Sequence, residues 1–416
     1  MMKTQLEYAK DGTATKEMEN VAKKENIDIE TLIGHISGGS VVIMKRDDVS
    51  VGIGKGLLTK VNVNIGTSSL RIEPDEEVKK ARIAQKYGAD TLSDLSMGGN
   101  ISHIRKSIMG NITLPLTTVP IYQAAAENGL KDMVCDDIIK NLKQQAKEGV
   151  SSFVLHCIDK KTLDIVRQEK RIMGVVSKGG SITGAYMMMN DLENPFVSNF
   201  DEILKILKKK DIVLSLGNTM RSGCIHDARD KAQVEEIKLN VELANRAHNE
   251  GVQVIIEGMG GHVRADRISE YVKFHKKMSQ FPLFVAGPLP TDVAVGYDHI
   301  AGSVGASIAS GAGADYLCYI TPSEHLGLPS PEQVREGLIA FKIAAHIGDS
   351  IKYETDEQDV NLARKRADLD WEGQMKYALD SERARELSPI EGPCTMCGDF
   401  CAIKIMKEFT YEEKTS

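Results

Sequence analysis

Three cysteines near the C-terminus have the spacing that most clearly indicates chemistry. They are Cys394, Cys397 and Cys401, in the stretch CTMCGDFCAIK, and no His or Cys follows them. A structural zinc site needs four ligands. Three thiolates, in contrast, can hold a [4Fe–4S] cluster and leave one iron open to a ligand. The spacing therefore favours such a cluster, with zinc and an unrecognised fourth ligand as the alternative.

An open cluster iron is what radical chemistry with S-adenosylmethionine requires. The amino and carboxylate groups of that cofactor chelate the iron before one electron cleaves it. The common radical motif spaces its cysteines three then two, near the start of a barrel, whereas here the order is two then three, on a tail. We predict a [4Fe–4S] cluster and S-adenosylmethionine as cofactors.

Two histidines form a second candidate metal site. His262 in EGMGGHVRAD and His325 in TPSEHLGLP each follow a strand-like run and lie in a Gly-rich turn. Neutral imidazoles from two loops could hold a divalent ion that keeps positions open for substrate or cofactor. We predict a mononuclear zinc or iron site, against the alternative that each is a hydrogen-bonded structural histidine.

Polar residues recur where the apolar runs of this chain end. They are Asn64, Ser93, Tyr122, His156, Ser177, Asn218, Glu257 and His262. Each alone could be a strand end meeting solvent, but together they predict a ring around a polar small molecule. The Gly-rich segments NIGTSS, SMGGN and SKGGS, with the cations Lys178 and Arg221, add a prediction of phosphate binding.

The sequence predicts alternating strands and helices as the elements that position these residues. From about residue 59 to 292, helical patterns separate eight short apolar runs: TKVNVNIG, ADTLSDLS, TTVPIYQ, SSFVLHC, MGVVSKGG, DIVLSLGN, VQVIIEG and LFVAGPL. This count predicts an α/β fold, a (β/α)8 TIM-type barrel with active-site residues at the C-terminal strand ends. A doubly wound sheet is the weaker alternative, because no strand precedes a dinucleotide-type Gly fingerprint. A ninth run, ADYLCYITP, leaves the numbering of the last strands open.

The chain divides into three predicted domains. An N-terminal α/β lead-in covers 1–50 and the barrel covers 51–330, while 331–416 form a helical segment with an iron–sulfur cluster tail. The net charge of −7 without a basic stripe argues against a nucleic-acid partner. No apolar run of about 18 residues occurs, so no membrane partner is expected and a cytoplasmic location is predicted.

With these residues in place, the chain resembles the thiamin pyrimidine synthases (phosphomethylpyrimidine synthases), radical S-adenosylmethionine enzymes that rearrange aminoimidazole ribotide. The shared stretches include MKTQLEYAK, VGIGKGLLTKVNVNIGTSS, TVPIYQAA, TPSEHLGLP, AAHIGD and CTMCGDFCAIK. The resemblance implies the barrel, a lead-in domain and a cluster domain. It also implies a homodimer in which one subunit's tail lends its cluster to the other's barrel.

The resemblance also assigns residues. Cys394, Cys397 and Cys401 match the cluster ligands, and His262 and His325 match a metal pair. Positions that contact substrate in the family are Asn64, Tyr122, His156, Ser177, Gly179, Arg221 and Glu257, to which we add Ser93, Lys178, Asn218 and Phe284. Glu257 and His156 are the candidates for proton handling, with Tyr122 as a third catalytic candidate. A flavodoxin or ferredoxin is the expected electron donor.

Several pocket positions depart from the family pattern. Ser93 replaces a Met, Asn218 an Asp, Ser222 a Pro and Phe284 a Tyr, and one residue is inserted between Glu257 and His262, at 259–261. Because the cofactor residues are intact, we expect the same substrate activation with a different product. The paralogous 5-hydroxybenzimidazole synthases of anaerobic cobalamin biosynthesis fit that description. The alternatives are a phosphomethylpyrimidine synthase with a variant pocket and a non-catalytic or zinc-binding scaffold.

Overall fold

The computed structural model describes residues 3–388 and 392–410, with side chains described up to residue 407. The predicted tail therefore includes positions 389–391 and 411–416, which lie outside the described residues. The chain divides into two compact units, Met1–Lys352 and Tyr353–Ser416. The lead-in and the barrel fall together in the first unit, and the three-domain division stays a prediction.

The lead-in consists of three helices and a hairpin: α1 (Gln5–Lys10), α2 (Lys16–Glu25), α3 (Ile29–Ser37), β1 (Val41–Arg46) and β2 (Val49–Gly54). Side chains cap all three helices, with Thr4, Thr15 and Asp28 each accepting a backbone N–H of the first turn. The antiparallel hairpin packs apolar side chains, among them Met44 and Ile53, against Val213 and Ile255 of the barrel.

Eight parallel strands close into a barrel, so the predicted fold class is confirmed. The strands are β3 (Lys60–Ile65), β4 (Thr91–Asp94), β5 (Leu116–Thr118), β6 (Ser152–Leu155), β7 (Val213–Leu216), β8 (Val254–Glu257), β9 (Leu283–Ala286) and β10 (Tyr316–Cys318). Neighbours along the chain pair with each other, and β10 closes the barrel against β3. All the C-terminal strand ends therefore meet at one mouth.

The prediction of a strand in MGVVSKGG is wrong. Residues 174–177 have no regular structure, Gly174 has φ +64°, and the N–H groups of Ile172 and Met173 donate to Asp227 at 2.9 Å instead of to a strand. The ninth apolar run supplies the eighth strand, β10. Ser177 instead caps a helix, as its side chain accepts the Gly180 N–H.

Helices surround the barrel and bury their apolar faces against it. They are α4 (Pro74–Lys86), α5 (Ile101–Met109), α6 (Pro120–Asn128), α7 (Cys135–Glu148), α8 (Lys160–Gln168), α9 (Lys178–Asn190), α10 (Pro195–Ser198), α11 (Phe200–Lys210), α12 (Lys231–Asn249), α13 (Ala265–Met278), α14 (Asp298–Gly311) and α15 (Pro331–Tyr353).

The second unit contains the short helices α16 (Glu357–Ala367), α17 (Trp371–Met375), α18 (Ser381–Leu387) and α19 (Ala402–Thr410). The indole N–H of Trp371 donates to the Gly392 carbonyl at 2.9 Å, which ties α17 to the start of the cysteine segment. Within the described part of the chain, every helix is too short or too polar to cross a bilayer.

Candidate active site

A cavity of about 450 Å³ opens at the mouth of the barrel. Most of the residues predicted to bind substrate line it, together with both predicted metal ligands: Asn64, Ser93, Tyr122, His156, Lys178, Asn218, Arg221, Glu257, Phe284, His262 and His325. Ser177 and Gly179 do not line it but lie behind His156, as their contacts below show. The barrel therefore brings together residues that are far apart in the sequence.

A chain of side-chain hydrogen bonds orients Asn64. The buried Asn62 donates from Nδ2 to Asn64 Oδ1 at 2.8 Å, and Asn64 Nδ2 donates to Cys318 Sγ at 2.8 Å. The Ser93 hydroxyl donates to Asn62 Oδ1 at 3.1 Å. Cys318 thus lines the cavity, where burial raises the pKa of its thiol to about 12.

His156 is tightly enclosed. Its Nε2 lies 2.9 Å from the Ser177 hydroxyl, and a Cβ at Gly179 or Gly217 would meet its ring at 2.4 or 2.9 Å. Burial, together with the Arg221 charge, lowers the pKa of His156 to about 3. The imidazole is therefore neutral at physiological pH, with one ring nitrogen as a hydrogen-bond donor and the other as an acceptor.

Glu257, at the end of β8, is one of two carboxylates that line the cavity, and Glu324 is the other. Its Oε1 accepts the Ser215 hydroxyl at 3.1 Å and its Oε2 accepts the Asn218 N–H at 3.4 Å. Burial raises the pKa of Glu257, and the nearby Arg221 partly offsets this. A carboxyl with a raised pKa is better suited to take up and return a proton near neutral pH.

Tyr122 and Lys178 lie next to each other in the lining of the cavity, with the Lys178 ammonium over the Tyr122 ring, 5.2 Å from its centroid. Burial raises the pKa of Tyr122 to about 12, so its hydroxyl stays protonated. Burial lowers the pKa of Lys178. Lys178 and Arg221 are the two cations that line the cavity.

The predicted phosphate cradle in NIGTSS finds no support in the backbone. The Gly66 N–H donates to Glu77 Oε2 at 2.7 Å, and the Thr67 N–H donates to Ser96 Oγ at 3.2 Å. Because these donors already have partners inside the protein, they are not free for a phosphate, whereas the cations Lys178 and Arg221 line the cavity.

Glu236 on α12 holds the loop that carries Asn218 and Arg221. Its carboxylate accepts the N–H groups of Thr219 at 2.6 Å and Met220 at 2.7 Å, while burial raises its pKa to about 7. Sequence reasoning missed Glu236. The available signal was a glutamate on the mainly apolar buried side of α12, next to Ile237.

The two histidine rings lie with centroids 5.2 Å apart. His262 Nδ1 is 2.7 Å from Asp292 Oδ1, and His325 Nδ1 is 3.3 Å from Asp298 Oδ2. Each ring thus keeps Nε2 for another partner, as histidines that bind metals commonly do. Sequence reasoning did not single out either aspartate. In the described residues, no three His, Cys, Asp or Glu side chains form a site for one ion, so other ligands would complete the shell.

The cysteine segment forms a compact turn in the second unit. The N–H groups of Cys397 and Gly398 donate to the Cys394 carbonyl at 3.2 and 2.9 Å, and Cys401 leads into α19. All three thiols are free. Cys397 is exposed, and partial desolvation with the charges of Cys394 and Cys401 raises the pKa of its thiol. Each thiolate of a [4Fe–4S] cluster binds a different iron, and the assignment of these three cysteines as the cluster ligands stays a prediction.

The closed barrel with a polar cavity at its C-terminal mouth defines a TIM-barrel enzyme. The profile of the Radical SAM ThiC family matches residues 4–408. This chain therefore belongs to the Radical SAM ThiC family and is a radical S-adenosylmethionine enzyme. Membership in the family implies a [4Fe–4S] cluster and S-adenosylmethionine.

Several curated relatives match the chain over nearly its full length. It is 46% identical to phosphomethylpyrimidine synthase 1 of Methanosphaera stadtmanae over 97% of this chain and 98% of that protein. The phosphomethylpyrimidine synthase of Methanocaldococcus jannaschii is 45% identical over 97% and 99%. That of Thermoanaerobacter sp. is 44% identical over 98% of both chains.

The expectation of a 5-hydroxybenzimidazole synthase is wrong, because these relatives are named phosphomethylpyrimidine synthases. The structure shows how the barrel accommodates two of the departures. The Phe284 ring stacks on Tyr316 with centroids 4.0 Å apart. The Ser222 hydroxyl donates to the His262 carbonyl at 2.6 Å, and Ser222 pairs with Gly261 beside the inserted residue. These two substitutions therefore complement neighbouring protein groups and do not by themselves specify another product.

Proposed function

We propose that this protein is a phosphomethylpyrimidine synthase of thiamin biosynthesis. The strongest support is its similarity to relatives of that name across almost the whole of both chains. The cavity adds support, because the polar side chains that surround it are those expected of the family's substrate site.

The proposed substrate is aminoimidazole ribotide, which carries a phosphate, a ribose and an amino-substituted ring. Arg221 and Lys178 are the cations of the cavity and would bind the phosphate. Asn64, held in one orientation by Asn62 and Cys318, offers an amide to the ribose or the ring. Tyr122 closes the wall beside Lys178.

The residues proposed to handle protons have pKa values that suit different roles. Glu257, with its raised pKa, would accept and return protons. The positive charge of Arg221 would limit the rise and so keep a fraction of the Glu257 carboxyl groups ionised. His156 is neutral, so it would orient substrate through a hydrogen bond and would not act as a cationic acid. The close approach of Gly179 and Gly217 to its ring would hold the imidazole in place.

Cys394, Cys397 and Cys401 would hold the cluster, and His262 and His325 a divalent zinc or iron ion. When bound, the cluster supplies the electron that cleaves S-adenosylmethionine into methionine and a 5′-deoxyadenosyl radical. A homodimer that exchanges cluster tails and a flavodoxin or ferredoxin donor belong to the same proposal. Size measurement in solution and reduction assays with each donor test these two points.

Genetic complementation tests the proposed function. A bacterial strain that lacks its own phosphomethylpyrimidine synthase is given this chain and grown anaerobically without thiamin or its pyrimidine. Growth is expected with the native chain and absent with the C397A variant, which removes one proposed cluster ligand. If the well-expressed, cluster-loaded native chain does not restore growth, the proposal is wrong.

A further inference from the structure

Two aspartates from the loop after β9 and the start of α14 lie behind the paired histidines of the cavity. We propose that Asp292 and Asp298 are positioning residues of a divalent-cation site. Each carboxylate accepts the Nδ1–H of one histidine and so presents the unprotonated Nε2 of that ring to a shared ion. This proposal rests on the cation that the proposed function places at His262 and His325.

The contact between His262 and Asp292 is the shorter of the two, at 2.7 Å from Nδ1 to Oδ1. Asp292 also accepts the Ile225 N–H, at 3.2 Å to Oδ1 and 3.1 Å to Oδ2. The carboxylate is thus held from two directions, by the ring and by the loop that follows β7. A carboxylate fixed in this way sets both the rotation and the tautomer of the ring it faces.

Asp298 performs the same role for His325 from a buried position. It is the first residue of α14, only 3% exposed, and its Oδ2 lies 3.3 Å from His325 Nδ1. A buried carboxylate is costly unless it has hydrogen-bond donors, so this contact is favoured. His325 itself has φ +64°, a left-handed conformation that is uncommon outside glycine. Such strain is often found where a side chain must point in a required direction.

The ring separation matches what one ion needs. With metal–nitrogen bonds of about 2.0–2.1 Å and a tetrahedral angle, two imidazoles on one ion have centroids roughly 5 Å apart. The observed separation is 5.2 Å, with 42° between the ring planes. Two neutral nitrogens suit a first-row divalent cation such as Zn²⁺ or Fe²⁺ and leave its other positions to non-protein ligands.

A purely structural role for the aspartates predicts a different result. If they only pin loops, their removal should lower stability without a specific effect on metal affinity. Asp227 provides a matched control. It lies in the loop after β7, close in sequence to Ile225, and its carboxylate accepts the N–H groups of Ile172 and Met173, each at 2.9 Å. It has no hydrogen bond to either histidine among the described contacts.

The test measures Zn²⁺ affinity of the full-length, cluster-loaded protein under anaerobic conditions, by competition with a chromophoric chelator. D292A and D298A are expected to weaken binding by about 10–100-fold, with the larger effect for D292A because its contact is shorter. D227A should stay within about twofold of the native protein, and H262A identifies the site by abolishing binding. D298N replaces D298A if the latter does not fold.

A second readout needs no metal and no activity. Long-range ¹H–¹⁵N spectra of the protein with labelled histidines, recorded without added cation, should show His262 and His325 as Nδ1–H tautomers. D292A should shift His262 toward the Nε2–H form that free histidine prefers. Native affinity in both aspartate variants, or Nε2–H tautomers in the native protein, overturns the proposal. Neither result depends on which product the enzyme makes, so failure here is separate from failure of the proposed function.

Discussion

The Ser177 hydroxyl lies 2.9 Å from Nε2 of His156 and accepts the Gly180 N–H at 3.1 Å. One side chain thus caps α9 and orients an imidazole of the active site. The hydroxyl and the ring nitrogen share this hydrogen bond, and the tautomer of the neutral imidazole decides which of them donates. Helix formation and the orientation of His156 are therefore coupled.

Substitution S177A should affect both properties. Loss of an N-cap lowers the free energy of unfolding by about 1 kcal/mol. Turnover should fall further than this stability loss explains, because the His156 ring loses its hydrogen bond. Denaturant unfolding and steady-state kinetics measure the two effects. D159A is the matched control, since Asp159 caps α8 through the Thr162 N–H at 2.7 Å. Equal losses of turnover in both variants would contradict the coupling.

Substitution N62A should destabilise the barrel. Asn62 is fully buried and joins Thr91, Ser93 and Asn64 through hydrogen bonds of 2.8–3.1 Å. Leaving these polar groups without a partner costs about 2–4 kcal/mol, which denaturant unfolding will detect. N190A is the comparison, because the Asn190 side chain donates to the Tyr186 carbonyl of its own helix and has no other hydrogen bond among those described. A loss for N62A no larger than that for N190A would rule out the network as a source of stability.

Arg221 should dominate phosphate recognition. R221A removes a charge-assisted contact worth about 1.5–3 kcal/mol and should raise the KM for the ribotide roughly 10–100-fold. R229A is the control, because Arg229 stacks on Tyr271 and Phe274 and lies outside the cavity lining. Its KM should stay within about twofold of native. An unchanged KM in R221A would place the phosphate elsewhere.

Glu236 should make stability depend on pH. Its pKa is raised to about 7 in the folded protein, above the value of an exposed glutamate. Between the two pKa values only the unfolded state releases the proton, so stability falls as pH rises from about 4.5 to 7 and then levels off, by roughly 3 kcal/mol at most. Thermal unfolding of native protein and E236Q across this range isolates the effect. A difference between them that is independent of pH would refute it.

Much of this architecture follows from local patterns in the sequence. Short apolar runs with helices between them predicted a closed parallel barrel, and seven of the eight runs contain strands of it. Polar residues at the strand ends, such as Asn64, His156 and Glu257, converge because parallel strands end at one face. The segment near Gly174 was wrongly predicted to be a strand because its residues are apolar. In the described part of the fold it has no neighbouring strand to pair with. Short apolar runs do not distinguish a strand from a buried loop.

The parts of the site that were missed depend on contacts through space. Asp292 and Glu236 lie in no recognisable motif, and their roles arise only when separate loops and helices meet. The product was mispredicted because changes at Ser93, Asn218, Ser222, Phe284 and 259–261 were assumed to alter the chemistry. In the fold, Ser222 contacts His262 and Phe284 stacks on Tyr316. Pocket substitutions identify a product only when the groups that contact substrate are known.

The most direct test of the central claim is the product of the reaction. The cluster-loaded protein is incubated anaerobically with aminoimidazole ribotide, S-adenosylmethionine and a reductant, alongside the C397A variant, and the mixture is analysed by mass spectrometry. The account predicts a phosphorylated aminopyrimidine, formed with methionine and 5′-deoxyadenosine, only with the native protein. Consumption of the ribotide to a product without the phosphate, such as a benzimidazole, would contradict it.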